Sequence, residues 1–231
     1  MRLRFLTEYH RKKLLKKAHL PKPLSQYLSQ LSRPLADNVN LIKDLEFLVL
    51  DFETTGFDAS KEKIISMGYT VIKNLRILPQ TSTHILVNPK QVLTEKNVAI
   101  HQLTDEELKQ GISLESAMDR LLLAMTGRVI IVHFDNVEKG FINQACRQLY
   151  RINALPMVML DTLKIEQKKR QQTQQQIKSG GLRLFALREK YNLPRYNAHN
   201  AIQDAIATAE LFLAQIEYMG KKETLKLKQI I

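Results

Sequence analysis

Asp51 and Glu53 stand two residues apart at the end of FLVLDFE (47–53), a short apolar run rich in strand formers. In a strand, alternate side chains share a face, so both carboxylates point to one side and Phe52 to the other. Two like charges about 4 Å apart repel by roughly 4 kcal/mol at an effective dielectric of about 20. A cation between them relieves that repulsion, and Mg²⁺ or Mn²⁺, which prefer carboxylates and water, suit the pair. An isolated Asp-x-Glu is more often a solvated strand end, so the rest of the chain has to decide.

Three further groups bear on the decision. Thr54, Thr55 and Gly56 follow the acids directly, with hydroxyls and backbone N–H groups suited to a terminal sugar or phosphate, or simply to a turn. Glu138 falls in the first turn of a predicted helix, on one stripe with Ile142, Ala145 and Leu149. A lone Glu there favours the helix N-terminus by about 0.3 to 1 kcal/mol, and an acid on a core-facing stripe needs a partner. Asp135 and Asn136 read as capping residues. His199 precedes an Ala-rich helix and Asp204 follows five residues later; Ala201, Ala205 and Thr208 are small, which allows that helix to approach a sheet closely. A histidine of ordinary pKa near 6.5 beside a metal-bound water could take its proton at neutral pH, although a lone His at a helix start is usually a surface or capping residue.

The elements that must position these groups can be read along the chain. FLVLDFE, IISMGYTVI (64–72) and STHILVN (82–88) are three successive strands with antiparallel pairing expected. Thr104 and Ser113 head two capped helices. VIIVH (129–133) is a buried strand, NVEKGFINQACRQLYRI a helix and PMVMLDT (156–162) another strand, an alternation that implies a parallel portion. Residues 164–181 are polar and Gln-rich, an exposed helix or loop, and 198–219 form a strong helix. The expected fold is therefore α/β, with a mixed five-stranded sheet flanked by helices. We divide the chain into a basic, mainly helical N-terminal extension (1–46), a catalytic-size domain (47–219) and a basic tail (220–231).

The net charge of +12 is unevenly placed. Residues 1–46 hold 10 Lys/Arg against 4 Asp/Glu and residues 161–195 hold 9 against 3, so each contributes +6, while the remainder balances at 16 of each sign. Two basic segments on a neutral body fit a polyanion, because each neutralised phosphate releases counterions; solvated helices would carry the same charge. The one cysteine, Cys146, excludes a disulfide framework and a thiolate metal cage. No stretch approaches the roughly 18 apolar residues of a membrane span, and the N-terminus does not read as a leader. A cytoplasmic protein without membrane contact is expected.

LDFETTG, the block from His133 to Phe141, LDT (160–162) and HNAIQDA together resemble the DEDDh 3′-to-5′ exonuclease family, over about 47–218. That family includes the proofreading epsilon subunit of bacterial DNA polymerase III and has an RNase H-like fold. The resemblance implies that Asp51, Glu53, Glu138 and Asp204 bind two metal ions, Mg²⁺ or Mn²⁺, and that His199 is the general base. It implies substrate contacts from Phe52, Thr54, Thr55 and Gly56, and from His101, whose segment equally reads as a loop before a capped helix. The family's second motif usually reads His-Asn-x-x-Phe-Asp-x-x-Phe; here it is His133-Phe-Asp-Asn-Val-Glu138-Lys-Gly-Phe141, so the central acid is one methylene longer. Asp135 lies three residues out of that register.

The implied reaction is two-metal phosphodiester hydrolysis at 3′ ends, foremost of single-stranded DNA, releasing nucleoside 5′-monophosphates. A DNA polymerase or another replication or repair protein is the implied partner. RNA is the alternative substrate, since nothing in the sequence reads a 2′-hydroxyl. A non-catalytic nucleic-acid-binding or polymerase-associated module is the rival from another class, and metal titration separates it from the enzyme.

Overall fold

The computed structural model describes residues 2–17, 19–31, 41–91, 103–174, 176, 179–197 and 199–230. His101 lies outside the described residues. Strands β1 (Glu46–Thr54), β2 (Ile64–Lys73), β3 (Arg76–Leu86), β4 (Val129–Val132) and β5 (Met159–Asp161) form one sheet of order β3-β2-β1-β4-β5. The first three pair antiparallel, and β4 and β5 join them in parallel, as the strand order in the sequence implies. Val129 to Val132 are wholly buried, which explains their continuous apolar character: a central parallel strand has no solvent face.

β3 begins six residues earlier than the sequence pattern suggests. Lys73 pairs with Arg76, so β2 and β3 are joined by Asn74 and Leu75 alone, at φ of 52° and 53°. Two positive φ values are what a tight hairpin turn of primed type requires. Leucine at the second position hides that turn from a reading that looks for Asn-Gly.

The helices are α1 (Arg2–Leu15), α2 (Lys22–Gln30), α3 (Asp105–Lys109), α4 (Leu114–Met125), α5 (Asp135–Tyr150), α6 (Thr162–Gln172), α7 (Leu184–Lys190), α8 (Ala201–Tyr218) and α9 (Leu227–Ile230). Thr104 makes a full capping box with Glu107, and Ser113 caps α4 through the Ser116 amide. Helix α8 crosses β1 and β2, with the rings of Phe47 and Phe212 5.2 Å apart between them. Phe47, Val49, Asp51 and Glu53 alternate along β1, so the face that meets α8 is the face that carries the acids.

Leu24, Tyr27, Leu28 and Leu31, in and just after α2, share the main core, and the Tyr27 hydroxyl donates to the Pro156 carbonyl at 2.8 Å. The described part of the N-terminal segment is thus packed onto the domain. At the other end, Leu41 and Lys226 form a β-bridge and Leu225, Leu227 and Ile230 enter the same core. No helix among the described residues is long and apolar enough to cross a membrane.

Candidate metal centre

Asp51, Glu53 and Asp204 each place a carboxylate oxygen within 4.8 Å of the others. Strand alternation supplies the first two. The third depends on how closely α8 approaches β2, and that is set by Gly68, which pairs with Asp51. A Cβ on Gly68 would lie 2.1 Å from the Ala201 carbonyl carbon and 2.2 Å from the Ile202 nitrogen. The small residues of α8 noted in the sequence are one half of the fit; Gly68 is the other half. A glycine inside a strand is the available signal, since it marks a close backbone approach.

Glu138 stands outside the 4.8 Å set but beside it, buried on α5 with Ile142 and Ala145 as the stripe predicts. Burial raises the Asp51 carboxyl well above the usual carboxylate range, and the charges of Glu138, Glu53 and Asp204 push it further. Glu138 is pushed up to about 8, again chiefly by burial, with Asp161, Asp135 and Glu53 adding to the effect. Asp204 rises to about 6 through burial and the Glu53 charge, partly offset by the His199 amide. Glu138 Oε2 and Asp204 Oδ1 are buried with no protein hydrogen-bond partner among the described residues. Converging acids with orphaned buried oxygens form a donor set that fits a divalent cation.

The start of α5 is not capped as expected. Phe134 occupies the N-cap position at φ 79°, ψ 71°, without a side-chain cap, and Asp135 is already helical. Asp161 caps it from the neighbouring strand, accepting from the amides of Phe134 at 3.0 Å and Asp135 at 3.1 Å while its Oδ1 also caps α6 through Leu163. The LDT motif thereby fixes the turn that brings Glu138 to the acids. Asp135 is held by Lys164 at 2.5 Å.

Phe52 is buried in the core on the opposite face of β1 from the acids, so only its backbone is available to a substrate. Thr54 donates to the Gly56 carbonyl at 2.8 Å, and the Thr55 hydroxyl bonds the Glu62 carboxylate. Gly56 leaves room for that glutamate: a Cβ would meet Glu62 Cδ at 2.9 Å. Both threonine protons therefore serve the turn, and the Thr55 oxygen also accepts from the Lys63 amide at 2.9 Å. His199 lies just before α8 at φ 69°, a strained region for a residue with a side chain, and its amide donates to Asp204 Oδ2 at 2.9 Å.

One histidine escaped the sequence reading. His84 on β3 meets the buried Ser66 hydroxyl at 2.7 Å, and Ser66 is the register partner of Glu53. Burial lowers its pKa, with the Glu53 charge opposing. Period-2 alternation from His84 to Leu86 was the signal. Within the basic segment 161–195, Lys164 pairs with Asp135, Lys169 contacts Tyr191 and Arg170 pairs with Glu166.

A mixed five-stranded sheet with acids from its central strand and from a helix laid across it is an RNase H-like exonuclease fold, and its acid cluster could bind a metal ion. Residues 48–212 match the family model RNase_T, described as exonuclease, and the chain belongs to that family. It is 27% identical to the PolC-type DNA polymerase III of Thermotoga petrophila over 90% of this chain, but spans only 15% of that relative's length. It is also 27% identical to the DNA polymerase III subunit epsilon of Aquifex aeolicus, over 78% of this chain and 84% of the relative. Among solved structures, the zinc-bound complex of Escherichia coli ExoI with single-stranded DNA aligns at a TM-score of 0.67 and 14% identity, covering 77% of this chain and 42% of the other.

Proposed function

We propose that this chain is a metal-dependent 3′-to-5′ exonuclease that shortens single-stranded DNA from its 3′ end and releases nucleoside 5′-monophosphates. The observation that carries the reading is the set of three converging acids, Asp51, Glu53 and Asp204, with Glu138 buried beside them and two orphaned buried oxygens, Glu138 Oε2 and Asp204 Oδ1. A module released from catalysis has no physical reason to keep that repulsion in its interior. The relative named as a DNA polymerase III subunit and the structural neighbour solved with single-stranded DNA support DNA as the substrate. A DNA polymerase is the partner class that the relatives favour.

Asp51, Glu53, Glu138 and Asp204 would hold two divalent ions, Mg²⁺ or Mn²⁺. When bound, such ions would supply a nucleophile at neutral pH and charge stabilisation for the leaving 3′ oxygen. His199, tied by its amide to Asp204, takes the proton of the attacking water. Backbone groups of Phe52 to Gly56 border the acids and grip the terminal nucleotide, and His101 contributes from outside the described residues.

The test compares 5′-labelled single-stranded DNA, duplex DNA and RNA with Mg²⁺ or Mn²⁺, using Asp51→Ala as control. A ladder of shortened products that is strongest on single-stranded DNA and absent with Asp51→Ala is expected. No shortening of any substrate with metal present overturns the catalytic reading, and shortening of RNA alone reassigns the substrate.

A further inference from the structure

Arg188 is the largest fully buried side chain among the described residues, 1% exposed, and beyond the small lowering its charge exerts on the Asp204 carboxyl the site as described above makes no use of it. Its guanidinium donates to the Ala207 carbonyl of α8 at 2.6 Å, to the Pro194 carbonyl at 2.7 Å and to Glu210 Oε2 at 2.7 Å. It also lies under the Tyr196 ring, 4.6 Å from the centroid, and the Tyr196 hydroxyl returns to Glu210 Oε1 at 2.8 Å. One side chain from α7 thus fastens the segment carrying Pro194 and Tyr196 to two successive turns of α8. His199 follows Tyr196 by three residues and is itself tied to Asp204 at the head of the same helix.

A buried ion pair seldom stabilises a fold more than apolar side chains of the same size would, and Nε of Arg188 has no hydrogen-bond partner among the described residues. What a planar donor fork adds is fixed geometry between several acceptors. Here the acceptors are the connector that delivers His199 and the helix that delivers Asp204. We propose that Arg188, clamped by Glu210 and Tyr196, is a positioning residue for His199: it sets the path of the connector so that the imidazole reaches the metal centre. This inference rests on the general-base reading of His199 under Proposed function.

The test is a double-mutant cycle on the full chain, measuring kcat and KM on a 5′-labelled single-stranded oligonucleotide, Mn²⁺ affinity, and amide hydrogen exchange over 193–200. His199→Ala should lower kcat by about 100-fold or more. Arg188→Met should lower kcat by about 10-fold or more with KM within about twofold, raise exchange over 193–200, and leave Mn²⁺ affinity unchanged, whereas Arg188→Lys should recover part of the loss. In the His199→Ala background Arg188→Met should change kcat by less than about twofold, because the group it positions is gone. If Arg188→Met does not fold, Glu210→Gln combined with Tyr196→Phe loosens the same clamp and takes its place in the cycle. An equal loss in both backgrounds, or loss of Mn²⁺ binding with kcat, overturns the proposal. If His199→Ala leaves kcat unchanged, the general-base reading falls and this proposal falls with it; if the cycle is additive while His199→Ala is inactive, only the proposal falls.

Discussion

Gly68 and Ala201 meet backbone to backbone: a methyl group on the glycine would stand 2.2 Å from the Ala201 carbonyl oxygen, where no rotamer change can make room. Gly68→Ala must therefore lift the first turn of α8 off β2. Overpacking of this kind costs about 1 to 3 kcal/mol, and it draws Asp204 away from Asp51. Urea unfolding should show the loss of stability, and a Mn²⁺ titration should show weaker binding in the protein that remains folded.

The acid cluster sets a pH dependence whose sign is fixed by the raised pKa values. Glu138 rises from 4.5 to about 8 and Asp204 from 3.8 to about 6, so the folded state holds protons that the unfolded chain has released. Their contribution to stability is complete below about pH 4 and is lost as pH climbs through 6 and 8. Thermal unfolding of metal-free protein should show Tm falling across that window. Saturating Mn²⁺, at about 100 times its Kd, adds about 2.7 kcal/mol and should flatten the fall. A metal-free Tm that rises between pH 5 and 8 would contradict this account.

Glu138→Gln separates stability from activity. The neutral amide removes the charge that burial opposes, so the metal-free variant should melt above the parent at pH 8. Hydrolysis should drop by about 100-fold or more, since an acid placed at the metal centre is lost. Parallel melting and turnover measurements on one preparation check both directions together.

Glu166 is fully buried yet ionised. Burial works against its charge, but bonds from Lys190 at 2.5 Å, the Tyr191 hydroxyl at 2.8 Å and Arg170 at 3.1 Å hold its carboxyl below the usual range. With a depressed folded pKa, its stabilisation is present above about pH 4.5 and is lost as pH falls through the folded value. Glu166→Gln should cost about 2 kcal/mol, less than a fully buried pair, because Lys190 remains 36% exposed. The cost should shrink towards pH 3 in denaturant titrations.

Phe134 adopts a left-handed backbone that asparagine tolerates far better. Phe134→Asn should raise stability by about 1 kcal/mol without disturbing the amides that Asp161 holds, and thermal unfolding reads it directly.

Much of the site was legible because its geometry is local. Strand period alone puts Asp51 beside Glu53, and helix period alone buries Glu138 with Ile142. The fold class followed from the same two periods and from the alternation after residue 128. What stayed hidden depends on partners remote in sequence. Asp161 caps a turn 26 and 27 residues before it, and Arg188 binds a carbonyl on the next helix. A charge count could not tell that Lys164 and Arg170 have carboxylate partners. The hairpin at Asn74 and Leu75 was missed because leucine at positive φ has no composition signal.

Helix α8 has one further consequence, which concerns time. Asp51 and Glu53 leave the ribosome before Asp204, so on the function proposed above a chain still being synthesised through α7 lacks one of the acids that would hold the ions. A chain stopped before α8 would then carry an incomplete centre among the nucleic acids around it.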